Sequence, residues 1–152
     1  MNFEGSVTIE APASDVWTCL LNINCFSGCL PGVEEVRKID DSTFSGAMTA
    51  SVGPMSGKFF FEAHIVESNP PKGLSANVEG IDSVTKSRLN ATMAMTLESL
   101  SPARTELSYR ATVSVQGRLA ILGDMVLRAT ATLLLEEFTK RLRRQLGHGQ
   151  LA

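Results

Sequence analysis

Three cysteines, Cys19, Cys25 and Cys29, crowd into one short segment, and the chain has two histidines, His64 and His148. Cys25 and Cys29 stand at i, i+4, the spacing that puts two sulfur ligands on one helix face, so a metal is the first chemistry to weigh. Neither histidine has ligand spacing to them, and no second cysteine cluster completes a tetrahedral set. An odd number of cysteines in a helical segment reads better as buried, reduced thiols that pack as small hydrophobes in a cytosolic setting. No metal and no cofactor is expected.

His64 shares its strand face with Glu62, and no serine, cysteine or lysine is placed beside it by a recognisable motif. It reads as a solvated histidine, and no catalytic residue is expected. Met48, Met55, Met93, Met95 and Met125 carry a different chemistry, because the flexible, polarizable thioether suits an interior that adapts to an apolar ligand. The competing account is an ordinary methionine-containing core. Lys140, Arg141, Arg143 and Arg144 read as cations favoured at the C-terminal end of a helix, with anionic lipid as the alternative partner.

These residues must be positioned by a chain of 152 residues, long enough to bury a core without staples, with 43% apolar and 20% charged residues. One domain, residues 1–152, is expected. The net charge of −2 gives no affinity for a phosphate backbone, so no nucleic acid is expected. The N-terminus lacks a basic region followed by an apolar run, and no apolar stretch reaches the ~20 residues that span a bilayer. The expectation is a cytoplasmic protein, with a peripheral membrane encounter left open.

Residues 2–10 alternate as a strand. Pro12, Ser14 and Asp15 open a helix of roughly 10 residues carrying Val16, Trp17, Leu20 and Leu21. A second short helix runs from Asn24 to Cys29 and ends at Pro31-Gly32. From Val33 to Val115 the period is two. Strands are expected at Val33–Ile39, at Phe44–Val52 before the turn formers Gly53-Pro54-Met55-Ser56-Gly57, and from Phe59 to Val66 up to Asn69-Pro70-Pro71-Lys72-Gly73. Further strands cover Leu74–Val78, Arg88–Leu97 and Glu106–Val115. Short turns make the meander antiparallel.

From about Leu119 to Leu146 the period returns to 3.6. Leu122, Val126, Ala129, Leu133, Glu137 and Lys140 trace one line, broadened by Leu127, Leu134, Phe138, Leu142 and Leu146. The fold class is therefore α+β: a curved antiparallel sheet of about seven strands wrapped around a long C-terminal helix, with two short helices after the first strand.

That order resembles the helix-grip arrangement of the START-like (SRPBCC) superfamily. Three segments resemble, more narrowly, the CoxG family, the G subunit of carbon monoxide dehydrogenase. They are Phe26-Ser27-Gly28-Cys29-Leu30-Pro31-Gly32-Val33, Val52-Gly53-Pro54-Met55-Ser56-Gly57-Lys58-Phe59 and Gly117-Arg118-Leu119-Ala120-Ile121-Leu122-Gly123. The resemblance implies a non-catalytic accessory protein that binds a hydrophobic ligand, quinone or lipid. It implies service to a molybdenum hydroxylase, by recruitment or electron-acceptor supply, at the inner face of the cytoplasmic membrane. Family members attach through a C-terminal extension; here Gly147–Ala152 follow Leu146, so either this member works without one or the native chain runs longer.

On this reading the cavity is lined by Phe44, Met48, Phe59, Phe61, Met93, Met95, Tyr109, Leu122, Met125, Val126 and Leu133. Met55 and Phe60 are the expected membrane or partner contacts, since alternation turns Phe60 away from Phe59 and Phe61; a short helix of the chain or a second copy of it, giving a homodimer, is the other cover for that ring. Two alternatives remain: a cavity-based cyclase or hydrolase, which would need inward ionisable residues, and a ligand-free structural adaptor.

Overall fold

Period-two alternation produces strands wherever one face is buried and the other wet. The computed structural model describes residues 1–52 and 55–151, with side chains for 1–51 and 56–146. The side chains of Met55 and of the 147–151 segment weighed for anchoring, His148 among them, and Ala152 altogether lie outside that description. Seven strands form, β1 (Asn2–Ile9), β2 (Val33–Asp40), β3 (Thr43–Val52), β4 (Met55–Asn69), β5 (Gly73–Asp82), β6 (Arg88–Ser101) and β7 (Arg104–Gln116). They build one antiparallel sheet in the order β1-β7-β6-β5-β4-β3-β2. Met55, Ser56 and Gly57, expected in a turn, belong instead to β4, where they pair with Val52, Ser51 and Ala50 and lengthen the hairpin.

Between β1 and β2 lie α1 (Ala13–Leu21) and α2 (Ile23–Cys29). Asn22 separates them and caps α2, its side-chain oxygen accepting from the Cys25 backbone N–H at 3.0 Å. Leu30 takes extended geometry and Gly32 a φ of 74°, which stops the helix. The short turn at Asn22 brings consecutive helices together and corrects the reading of three free thiols. Cys19 and Cys25 form a disulfide with Cα atoms 5.2 Å apart, and Cys29 alone is free.

After β7 a 3₁₀ turn, Arg118–Leu122, precedes α3 (Gly123–Leu151), so the helix starts later than the apolar period suggests. Gly123, at a φ of 86°, marks the junction. α3 packs on α2, and its closest approaches to the sheet are to β1 and β3. Its C-terminal half closes the core, which comprises Ile9, Ala11, Val16, Trp17, Cys19, Leu20, Cys29, Met95, Leu97, Leu107 and Leu142. Phe138 of α3 meets Phe26 of α2 edge-on at 5.6 Å between ring centres.

Two arginines of α3 reach the outer side of edge strand β1. Arg128 Nη1 donates to the Asn2 carbonyl at 3.2 Å, and Arg143 Nε donates to the Thr8 carbonyl at 3.1 Å. Arg141 pairs with Glu137 at 2.9 Å. Much of the basic cluster is thus engaged within the fold. At the opposite edge, β2 carries two register irregularities, and Glu35 there has a φ of 56°.

Candidate functional site

The strand registers place Phe44, Met48, Phe59, Phe61, Met93, Met95 and Tyr109 on one face of the sheet, through cross-strand pairs such as Met48–Phe59 and Met95–Tyr109. The same face carries small residues on the central strands. Ala76 pairs with Met93, Gly80 with Leu89 and Ala91 with Val113. Each of these small side chains faces a larger one across the strand pair, so the inner surface is uneven.

Two glycines sharpen this shape. A Cβ on Gly5 would stand 2.6 Å from the Tyr109 hydroxyl, and one on Gly46 would stand 2.9 Å from the Phe61 ring. The tip of each aromatic ring therefore reaches over its cross-strand glycine partner, into space a side chain there would fill.

Burial falls along this face from one end to the other. Ile9, Met95, Leu97 and Leu107 are buried, whereas Phe3, Leu89, Ala91, Val113 and Val115, further along the same strands, are half-buried. The end seated on α1 and α2 is solid. Toward Leu89 and Val115 it is open. A cavity of about 310 Å³ lies beside the solid end, between Leu21 of α1 and strands β2, β3 and β4, lined by Phe44, Ile65 and Val66 with Lys38 and Glu67 among its polar residues. That volume sits at the lower limit for a small-molecule site.

Of the residues expected to line the interior, Phe44 borders this cavity. Met48, Phe59, Phe61, Met93, Tyr109, Leu122 and Val126 are half-buried. Met95 is packed into the core instead of lining a space. Met125 and Leu133 are corrected outright, being 85% and 66% exposed. For Leu133 the cause is helix phase: at about 100° per residue it lies half a turn around from Leu142, which is fully buried. Ile121, in the 3₁₀ turn before α3, is exposed as well. Phe60 is 46% exposed on the outer face, with Lys58 Nζ 5.6 Å from its ring centre.

His64 also lies on the outer face. Its Nδ1 is 3.1 Å from the Thr43 hydroxyl and its Nε2 is 2.8 Å from Glu62. The resemblance to a nucleophile–base–acid relay ends there, because the Thr43 hydroxyl is buried on the side away from the trough. Asp82, by contrast, pairs with Phe59 on the inner face and is buried at the open end. Burial alone would raise its pKa. Hydrogen bonds from the Thr85 hydroxyl and from the Thr85 and Val84 backbone N–H groups, with the nearby Lys86 charge, outweigh that and hold it below the usual carboxylate range. Its oxygens are therefore occupied by their own turn. Sequence reasoning missed this carboxylate, although the Asp82-Ser83-Val84-Thr85 spacing is a recognisable side-chain-to-backbone turn.

Among the described residues every buried side-chain nitrogen and oxygen has a hydrogen-bond partner, no group of three or more metal-ligating side chains occurs, and no helix is long and apolar enough to cross a membrane. What the geometry offers is an apolar inner sheet face, the trough, that is only half-buried toward Leu89 and Val115, a surface suited to holding a hydrophobic molecule.

Among solved structures, a conserved protein from Geobacillus kaustophilus superposes with a TM-score of 0.90 at 22% identity, over 97% of this chain and 96% of that one. A START superfamily protein from Mycobacterium smegmatis gives 0.71 at 14% identity, over 99% of each chain. An aromatase/cyclase from Streptomyces sp. R1128 also gives 0.71, at 13% identity over 97% and 93%. These likenesses establish a START-like fold. No curated protein matches the chain. The model of the CoxG family, the G subunit of carbon monoxide dehydrogenase, matches residues 5–147, and the chain belongs to that family.

Proposed function

We propose that residues 1–152 act as one helix-grip domain that binds an apolar small molecule, a quinone or a lipid, in the trough between the inner sheet face and α3. In this reading the chain is a non-catalytic accessory of a carbon monoxide dehydrogenase-like molybdenum hydroxylase. It recruits that enzyme to the membrane or supplies its electron acceptor. The carrying observation is the burial gradient: the face formed by β1, β7 and β6 is solid at Leu97 and Leu107 but half-open at Leu89 and Val115, with small residues between. Membership of the family and the START-like fold support the same reading.

Catalysis by a cyclase-like route, the activity named for one structural neighbour, needs an ionisable group free to act within the trough. Asp82 is engaged by its own turn, and His64 lies on the opposite face. That favours binding over reaction.

The test is ligand content. Protein purified without detergent and extracted with organic solvent is expected to release a consistent apolar molecule by mass spectrometry, and a short-chain quinone is expected to raise its melting temperature. Ala91→Phe, placed among the small residues of the half-buried inner face, is expected to keep the fold and lose at least about tenfold in affinity for that quinone. An empty extract together with no quinone effect on the wild type would leave a ligand-free adaptor as the better account.

A further inference from the structure

The Cys19–Cys25 bridge belongs to no part of the ligand trough, yet it lies where α3 is seated. Cys19 is near the end of α1 and is 4% exposed; Cys25 is in the middle of α2 and is half-buried. The two sulfurs are therefore unequal, and only the Cys25 sulfur is within reach of an external thiol. Cys29 is a spectator. It is fully buried, its thiol donates to the Cys25 carbonyl at 3.3 Å, and burial, partly opposed by Arg141, pushes its pKa up to about 11.

Cys25 also hydrogen-bonds from α2 to Gln145 of α3. Gln145 Nε2 donates to the Cys25 carbonyl at 3.3 Å, and Gln145 Oε1 lies 3.3 Å from the Cys25 sulfur. A bridged sulfur carries no proton, so that second contact becomes a hydrogen bond only in the dithiol form. Oxidation trades this weak bond for a covalent tie between α1 and α2, the platform on which Phe138, Leu142 and Gln145 rest.

We propose that Cys19 and Cys25 are a site of reversible thiol–disulfide exchange with low-molecular-weight thiols, and that the bridged form holds the C-terminal half of α3 more firmly than the dithiol form. Closure starts when the Cys25 thiolate attacks one sulfur of a small disulfide RSSR, releasing RS⁻ and leaving a mixed disulfide on Cys25. The Cys19 thiolate then attacks the Cys25 sulfur and expels the second RS⁻. Two electrons pass from the pair to RSSR, and the two protons of the cysteine thiols end on two RSH. Opening by excess RSH is the reverse, with first attack at Cys25. The constraint closes a short loop, and the chain-entropy cost it removes exceeds what one thiol hydrogen bond returns. The bridged form is accordingly the tighter one.

The experiment uses the full native chain, equilibrated with glutathione disulfide or with millimolar glutathione, then denatured and alkylated with N-ethylmaleimide. Glutathione disulfide is expected to leave one label, on Cys29, and excess glutathione is expected to give three. Hydrogen exchange in residues 134–146 is expected to be about tenfold slower in the bridged form, and insensitive to glutathione in Cys25→Ala. Three labels under both conditions, or a bridge that includes Cys29, would overturn the pairing. One label under both would make the bridge a permanent staple and overturn exchange. Equal exchange rates in the two forms would overturn the coupling to α3.

Discussion

Gly5 and Tyr109 show how single residues shape the trough. Period-two alternation in β1 marks Gly5 only as a gap in the apolar side, and alternation in β7 marks Tyr109 only as inward. Their juxtaposition depends on which residues face each other across strands far apart in sequence, and the register supplies that. The cysteines behave in the same way. Their number is plain in the sequence, but pairing Cys19 with Cys25 needs the angle between two helices that Asn22 sets. Cys29 supports a prediction at this scale. Its folded pKa, about 11, is raised above the ordinary 9.0, so the stability contributed by burying the neutral thiol is fully present below pH 9 and is lost as pH rises toward 11. Urea midpoints measured between pH 8 and 11 are expected to fall more steeply for the wild type than for Cys29→Ala.

At the scale of elements, strand positions and faces were legible because seven alternating runs fix both at once; the phase of α3 was not. A stripe broadened by Leu122, Leu127, Leu133, Leu134, Phe138, Leu142 and Leu146 fits several rotations about the helix axis. The deciding contacts are those with α2, Phe26 against Phe138 and Cys25 against Gln145, and these turn Leu142 inward and Leu133 outward. The contrast is measurable in two single variants. Leu142→Ala is expected to destabilise the protein by about 2–5 kcal/mol, as deletion of a fully buried leucine does. Leu133→Ala is expected to change stability by less than about 0.5 kcal/mol. Similar losses from both in chemical denaturation would mean that α3 is rotated from the position described.

Over the whole molecule, the burial gradient makes stability uneven. The end built from α1, α2 and the Leu97–Leu107 region holds most of the buried core, while the end near Leu89, Val115 and the 3₁₀ turn holds little of it. Native-state hydrogen exchange is expected to be slowest around residues 95–97 and 105–109 and fastest near 88–90 and 114–122. A bound apolar ligand is expected to protect the fast end and leave the slow end unchanged. Uniform protection in the free protein would mean that no trough is open. Fold and inner face followed from the sequence because hydrophobic period dictates them. The gradient did not, since it depends on where small residues from different strands coincide and on how far α3 leans toward one end.

An open sheet leaves two rows of unsatisfied backbone groups, and a neighbouring molecule's strand is the natural match for either. In this chain α3 reaches past the core to occupy carbonyls at both ends of one row with guanidinium groups, and the other row is broken by its own irregular register. A protein whose inner walls are only half covered is thereby kept from the commonest error such surfaces invite, growth into stacked fibrils.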